Sequence, residues 1–173
     1  MKRTHTRAFA IAAALACGSG AFSIASAATR SQLATYNAAM ACQLSLPTID
    51  TKAAPRATGF RNDGAAGIFV ICGLSLPSDD SFVSTGTLYL HSFDNVPSTF
   101  NCTGVGGQPG DIYYATKPVT VPANASTFLQ FSPADFNSAG ALPGGYSVSI
   151  TCALPPRVAI TLLQAAYQQD IGS

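Results

Sequence analysis

The chain of 173 residues contains no tryptophan and no glutamate, and only 10% of its residues carry charge. Each shortage excludes something. The charge fraction lies far below the ~25% of an ordinary globular domain, which argues against a charge-driven disordered chain and against a basic nucleic-acid binder. With Glu missing, all carboxylate chemistry falls to eight aspartates: Asp50, Asp63, Asp79, Asp80, Asp94, Asp111, Asp135 and Asp170. The absence of Trp removes the strongest stacking side chain and counts against a sugar platform. There is no C-x-x-C pair, no G-x-S-x-G elbow and no phosphate loop ending in Lys-Ser/Thr. Zinc binding, α/β-hydrolase chemistry and nucleotide binding therefore lack their usual signatures, and no cofactor is expected.

What the sequence does hold begins with a leader. Lys2, Arg3 and Arg7 precede an apolar run over residues 8–16, and Ala25-Ser26-Ala27 supplies a small-x-small cleavage site. The pattern predicts a helical secretory signal peptide over residues 1–27, cut between Ala27 and Ala28. Its apolar run is shorter than the ~20 residues of a membrane span. The alternative is a lipoprotein anchored at Cys17, although Ala14 stands where a lipobox usually has leucine. Cleavage leaves 146 residues, with Arg30, Lys52, Arg56, Arg61, Lys117 and Arg157 against the eight aspartates, a net charge of −2 with His91 neutral. The basic residues are scattered, so no nucleic-acid partner is expected. No apolar stretch of 18 or more residues follows the leader, so no transmembrane segment is expected in the mature chain. The protein is expected to be exported through a bacterial inner membrane, to the periplasm or the medium.

Four cysteines remain after cleavage, Cys42, Cys72, Cys102 and Cys152. An even count in an exported chain predicts two disulfides, in one of three pairings. Chain order favours Cys42–Cys72 and Cys102–Cys152; a Cys42–Cys152 bridge would refute it.

The rest is punctuated by 11 prolines and many glycines between short runs rich in Val, Ile, Thr, Tyr and Phe. Residues 146–154 alternate apolar and polar with period two. Over 67–76, Ile68, Val70, Cys72, Leu74 and Leu76 share one face while Phe69 and Ile71 fill the other, the pattern of a central strand buried on both sides. Residues 81–93 form a long strand candidate, with Leu88 and Leu90 on one face and Val83, Tyr89 and Phe93 on the other. Further strands are expected over 99–105, 112–121, 127–132 and 158–167. The last is ambiguous, because Leu162, Leu163, Ala165 and Ala166 also suit a helix; its β-branched residues favour strand. Residues 28–41 read as a lead segment, a short helix or an extended edge, before a single domain over 42–173. Strands with turn signals every ~8–12 residues predict an all-β chain, a β-sandwich or jelly roll stapled by two disulfides.

One internal echo stands out. Cys42-Gln-Leu-Ser-Leu-Pro47 recurs as Cys72-Gly-Leu-Ser-Leu-Pro77, with a shorter form at Cys152-Ala-Leu-Pro-Pro156. It reads as a recurring strand ending, with cysteine and both leucines inward, serine outward and proline stopping the ladder.

Candidate chemistry is sparse. His91, with Ser92 beside it and Asp94 three residues on, holds the components of a Ser-His-Asp site, but adjacent strand residues point to opposite faces. Asp79-Asp80 could bind Ca²⁺ with loop carbonyls, or act as a glycosidase pair with Asp94 or Asp111; a solvated turn is the plainer reading. Tyr89, Tyr113 and Tyr114 could stack on a sugar, though paired strand tyrosines face opposite sides. Residues 104–110 read as a flexible Gly-rich loop. Asn62-Asp63-Gly64 is a turn signal, and Asn101-Cys102-Thr103 and Asn124-Ala125-Ser126 match the glycosylation sequon.

The leader, the four cysteine-bearing strands and the run Tyr146-Ser-Val-Ser-Ile-Thr-Cys-Ala-Leu-Pro-Pro156 resemble those of small exported bacterial four-cysteine β-sandwich proteins of uncharacterised role. The resemblance implies the sandwich and carries over no functional residue. The reading is an exported, non-enzymatic binding, surface or structural module with a protein or carbohydrate ligand. The alternative is a hydrolase or calcium-dependent carbohydrate binder using Asp79, Asp80, His91 and Asp94.

Overall fold

Period-two alternation becomes two antiparallel sheets. A computed structural model describes residues 28–46, 52–76, 81–108, 111–136 and 147–172. The expected signal peptide with Cys17 and Ala27, and the acidic pair Asp79-Asp80, lie outside the described residues. The strands in chain order are β1 (Thr29–Asn37), β2 (Cys42–Leu44), β3 (Ala53–Arg56), β4 (Gly59–Asn62), β5 (Ile68–Ser75), β6 (Ser81–Ser92), β7 (Ser98–Gln108), β8 (Asp111–Val121), β9 (Ser126–Phe131), β10 (Ser147–Leu154) and β11 (Val158–Asp170). A four-residue helix α1 (Ala38–Ala41) follows β1, and a 3-10 turn (Pro133–Phe136) follows β9. The first sheet runs β3-β4-β11-β6-β9 with β1 also paired to β11; the second runs β2-β5-β10-β7-β8. No helix among the described residues is long and apolar enough to cross a membrane.

The inner faces make one core. Leu88, Leu90, Ile160, Leu163 and Phe131 of the first sheet and Val70, Leu74, Ile150 and Leu154 of the second are sealed from solvent. β11 settles its own ambiguity by alternating: Leu163, Ala165 and Tyr167 are buried while Gln164 and Ala166 are not. Pairing decides this, because β11 is bonded along its length to β6 and over Leu162–Asp170 to β1. The lead segment is thereby part of the sandwich.

Three expectations about faces are corrected. Val83 is buried on the face of Leu88 and Leu90, not on the face of Tyr89. A register shift at Ala166/Tyr167 leaves Ser84 as an extra residue, and a one-residue bulge moves all later side chains to the other face. Phe69 is 58% exposed, because no described element covers the outer face of β5. Leu46, expected to point into a sealed core, is 57% exposed beyond the end of β2.

Both disulfides lie within the second sheet. Cys42 faces Cys72 across the β2–β5 register, and Cys102 faces Cys152 across β7–β10. All four cysteines are buried. Two copies of the echoed Cys-x-Leu motif thus meet as antiparallel neighbours, joined through their cysteines.

The Gly-rich stretch expected as a loop is strand as far as Gln108. Gly104 is needed there because a Cβ would stand 2.9 Å from Phe131 and 2.9 Å from Phe136. Close to that contact, Lys117 of β8 crosses to the other sheet. Its ammonium donates to the Gln130 carbonyl (2.9 Å) and to Asp135 (3.0 Å). Asp135 also accepts from the Ser132 backbone N–H (2.7 Å) and hydroxyl (3.0 Å), which caps the start of the 3-10 turn. Burial pushes the Asp135 carboxyl up, but the Ser132 amide and the Lys117 ammonium outweigh it and hold it below the usual carboxylate range. A carboxyl lowered by folding stabilises above its unfolded value, and the contribution fades as pH falls through the folded one. Asp135→Asn is therefore expected to cost about 1 kcal/mol at pH 7, the size of a lost cap. Urea melts at pH 7 and pH 2.5 check it: the gap should close at the lower pH.

Candidate binding face

The outer face of the first sheet holds the polar and aromatic side chains that alternate with its core residues. In β9, Ser126, Phe128 and Gln130 are exposed beside the buried Leu129 and Phe131. The register places Tyr89 of β6 opposite Phe128, Thr87 opposite Gln130 and His91 opposite Ser126. On the other side of β6, Gln164 of β11 stands opposite Thr87 and Leu162 opposite Tyr89. β1 then adds Thr35 opposite Gln164.

These rows form a connected surface. The Tyr89 and Phe128 rings sit 6.2 Å apart at 42°, and Phe128 is 62% exposed. The Tyr89 hydroxyl donates to Gln164 Oε1 at 2.9 Å, which fixes the ring and orients the amide. Gln164 Nε2 reaches Thr35 Oγ1 (3.4 Å) and Gln130 Nε2 reaches the buried Thr87 Oγ1 (3.4 Å), both long bonds. These six side chains are uncharged, and the Lys117 ammonium stands at the β9 edge, 2.9 Å from the Gln130 carbonyl. At one end, His91 Nδ1 lies 2.9 Å from Ser126 Oγ, its ring packs edge-on to Phe93 at 4.4 Å, and the Arg61 guanidinium covers Phe93 at 4.0 Å.

The Ser-His-Asp components do not converge. Ser92 is fully buried on the opposite face from His91, and its Oγ accepts the Asp94 N–H at 3.1 Å. The Asp94 carboxylate accepts the Asn95 N–H at 2.7 Å, so it builds the turn after β6. Asp111 begins β8 in the other sheet and accepts the Tyr113 hydroxyl at 3.0 Å. That bond and the Asp111 charge push the Tyr113 phenol up from its ordinary value. The tyrosine trio is also divided: Tyr113 and Tyr114 belong to β8 of the second sheet, Tyr89 to β6 of the first. Strand order separates them, and strand order is invisible in a local pattern. Both sequon asparagines, Asn101 and Asn124, are exposed, and Asn124 bonds Asn95 Oδ1 at 2.8 Å.

Comparison with known proteins bears on the architecture alone. No known family profile and no curated protein matches the chain. Among solved structures, the chain is similar to the GH26-CBM35 β-(1,4)-mannanase of Podospora anserina, with TM-score 0.41 and 10% identity over 77% of this chain and 27% of that one. It is also similar to a structure described as "CBM4 structure and function", with TM-score 0.33 and 12% identity over 82% and 84% of the two chains. The chain thus spans about a quarter of the mannanase. Phe128, Gln130 and Gln164, the core of the face described above, were not singled out from sequence. The signal available for them was the outward half of the alternation in β9 and β11.

Proposed function

We propose that the protein is an exported, non-enzymatic binding module that takes neutral carbohydrate on the outer face of its first sheet, without calcium. The observation that carries this is the Tyr89–Phe128 pair flanked by glutamine amides, uncharged side chains with Lys117 and Arg61 only at the margins. Aromatic rings offer an apolar plane to the C–H face of a sugar, and Tyr adds a polar tip. Amides and hydroxyls that donate and accept suit hydroxyl partners. Single-stranded nucleic acid also stacks on aromatics, but it needs a cationic groove for its backbone, and among the described residues only Lys117 and Arg61 flank this face. Two disulfides fit an oxidising compartment outside the cytoplasm.

The test is affinity electrophoresis and calorimetry against a panel of neutral soluble polysaccharides and their hexasaccharides, with and without EDTA. Binding should be indifferent to EDTA and to salt between 50 and 500 mM. Phe128→Ala, at an exposed position, should weaken it at least about tenfold, the scale of one lost stacking contact (~1–3 kcal/mol per ring by analogy with bases). If every glycan is ignored, or if Phe128→Ala binds like the parent, the proposal fails.

A further inference from the structure

A second feature lies at the end of the sandwich, away from the glutamine face. Leu44 and Ile68 share the inward side of β2 and β5 with Cys42 and Val70, and Leu46 follows just beyond the end of β2. Val70 and Leu154 are sealed, yet Leu44 and Ile68 are only half-buried and Leu46 is open. The core therefore opens through a leucine-lined mouth of about 890 Å³. That volume lies within the ~300–1,000 Å³ of small-molecule sites.

The mouth has a built wall. Asn62, fully buried, donates to the carbonyls of Ala66 (2.8 Å) and Leu154 (3.1 Å) and accepts the Gly64 N–H (2.9 Å). The turn signal at Asn62-Asp63-Gly64 thus shapes a crossing from one sheet to the other. Beside it, Arg157 is held at φ 60, where non-glycine residues rarely sit, by bonds from its N–H to Asn62 O and from the Phe93 N–H to its carbonyl, both 2.8 Å. Its Nη2 donates to Phe93 O at 2.8 Å, which keeps the guanidinium at the rim. Lys52 lines the same rim. Asp63, the acid among the described lining residues, is already held by Arg56 (2.8 Å) and Arg61. Neither Lys52 nor Arg157 has a carboxylate partner among the described residues.

We propose that this mouth binds a free medium-chain aliphatic carboxylate, with its tail on Leu44, Leu46 and Ile68 and its anionic head between Lys52 and Arg157. The apolar floor selects the chain, and Lys52 and Arg157, the cations without a carboxylate partner among the described residues of the rim, select the head. Ligand and sugar occupy different surfaces, so this reading stands or falls apart from the carbohydrate one.

The probes are decanoate, octanoate, decanol and decyltrimethylammonium, titrated by calorimetry into the full mature chain. Decanoate should bind, octanoate about tenfold more weakly for two fewer buried methylenes, and the neutral and cationic chains at least tenfold more weakly. Leu46→Ser, at an exposed position, should weaken decanoate about tenfold. Arg157→Gly keeps the backbone angle that glycine tolerates best, so it should leave Tm undiminished while weakening decanoate several-fold, as should Lys52→Gln. The proposal is overturned if decanoate does not bind, if Leu46→Ser binds it unchanged, or if decanol or decyltrimethylammonium matches it. Binding to phosphatidylglycerol vesicles that decanoate does not displace would assign the mouth to a membrane surface and overturn it as well.

Discussion

Replacing Cys102 and Cys152 together by alanine is expected to cost about 4 kcal/mol and to lower Tm by about 8–16 °C. The bridge closes a separation of 50 residues, against 30 for Cys42–Cys72. In the loop-entropy account those lengths correspond to about 4.1 and about 3.6 kcal/mol of unfolded-state restriction. The two loops do not overlap in sequence, so both terms act. Their sum is comparable with the whole stability of ~5–15 kcal/mol of an ordinary domain, which makes full reduction an unfolding condition at modest temperature. Burial sets the order of loss: Cys102 and Cys152 are 0% exposed and Cys42 is 7% exposed. Limited thiol treatment should therefore open Cys42–Cys72 first, as read by alkylation and peptide mapping. A double alanine variant that melts within two degrees of the parent would refute the entropic argument.

Gly59→Ala should be nearly as damaging, by about 3 kcal/mol or more. Gly59 opens β4 after a two-residue turn, with Arg56 as its cross-strand partner and a φ of 127°. A Cβ built there would stand 2.2 Å from the Ile160 carbonyl oxygen and 2.7 Å from the Thr161 Cα. Neither can retreat. Ile160 is fully buried and pairs with Phe60 on one side and Leu90 on the other. Thr161 is the extra residue of a bulge, tied by its hydroxyl to Tyr89 O at 3.2 Å. The backbone angle adds its own penalty, since only glycine occupies it freely. Gly73→Ala is the control: it too sits in a strand, has nothing within 4 Å of a new Cβ, and should change stability by less than about 0.5 kcal/mol. Urea denaturation of both variants decides it, and similar midpoints for Gly59→Ala and the parent would sink the steric account. The damage should reach the binding face, because the same bulge sets where Tyr89 points.

Much of the architecture was legible locally. Period two is a property of a few consecutive residues, so β5 through β11 could be read as strands without knowing their neighbours. Three of the four cysteine-bearing strands announced themselves through the Cys-x-Leu echo, because a cysteine and a leucine two apart share one strand face; β7, with Cys102-Thr103-Gly104, did not. β3 and β4 escaped notice because four-residue strands carrying Pro55 and Gly59 have too little alternation to register. Val83 was misplaced because a bulge is a property of two strands together. Phe69 was placed inside because hydrophobicity says that a side chain would gain from cover, and only the tertiary structure shows it 58% exposed.

The candidate site divides the same way. His91, Ser92 and Asp94 drew attention because they are close in sequence, and strand pleating sends them apart. Tyr89, Phe128 and Gln164 drew none as a group, since they come from three strands scattered along the chain. The sequence alone determined the all-β class, the alternation that makes each core face, and the four cysteines available for bridges. Strand order and register decided which cysteines meet, which aromatics share a surface and where the core opens. Those depend on long-range pairing, whose free energy is shared among distant residues and leaves no mark on any one of them.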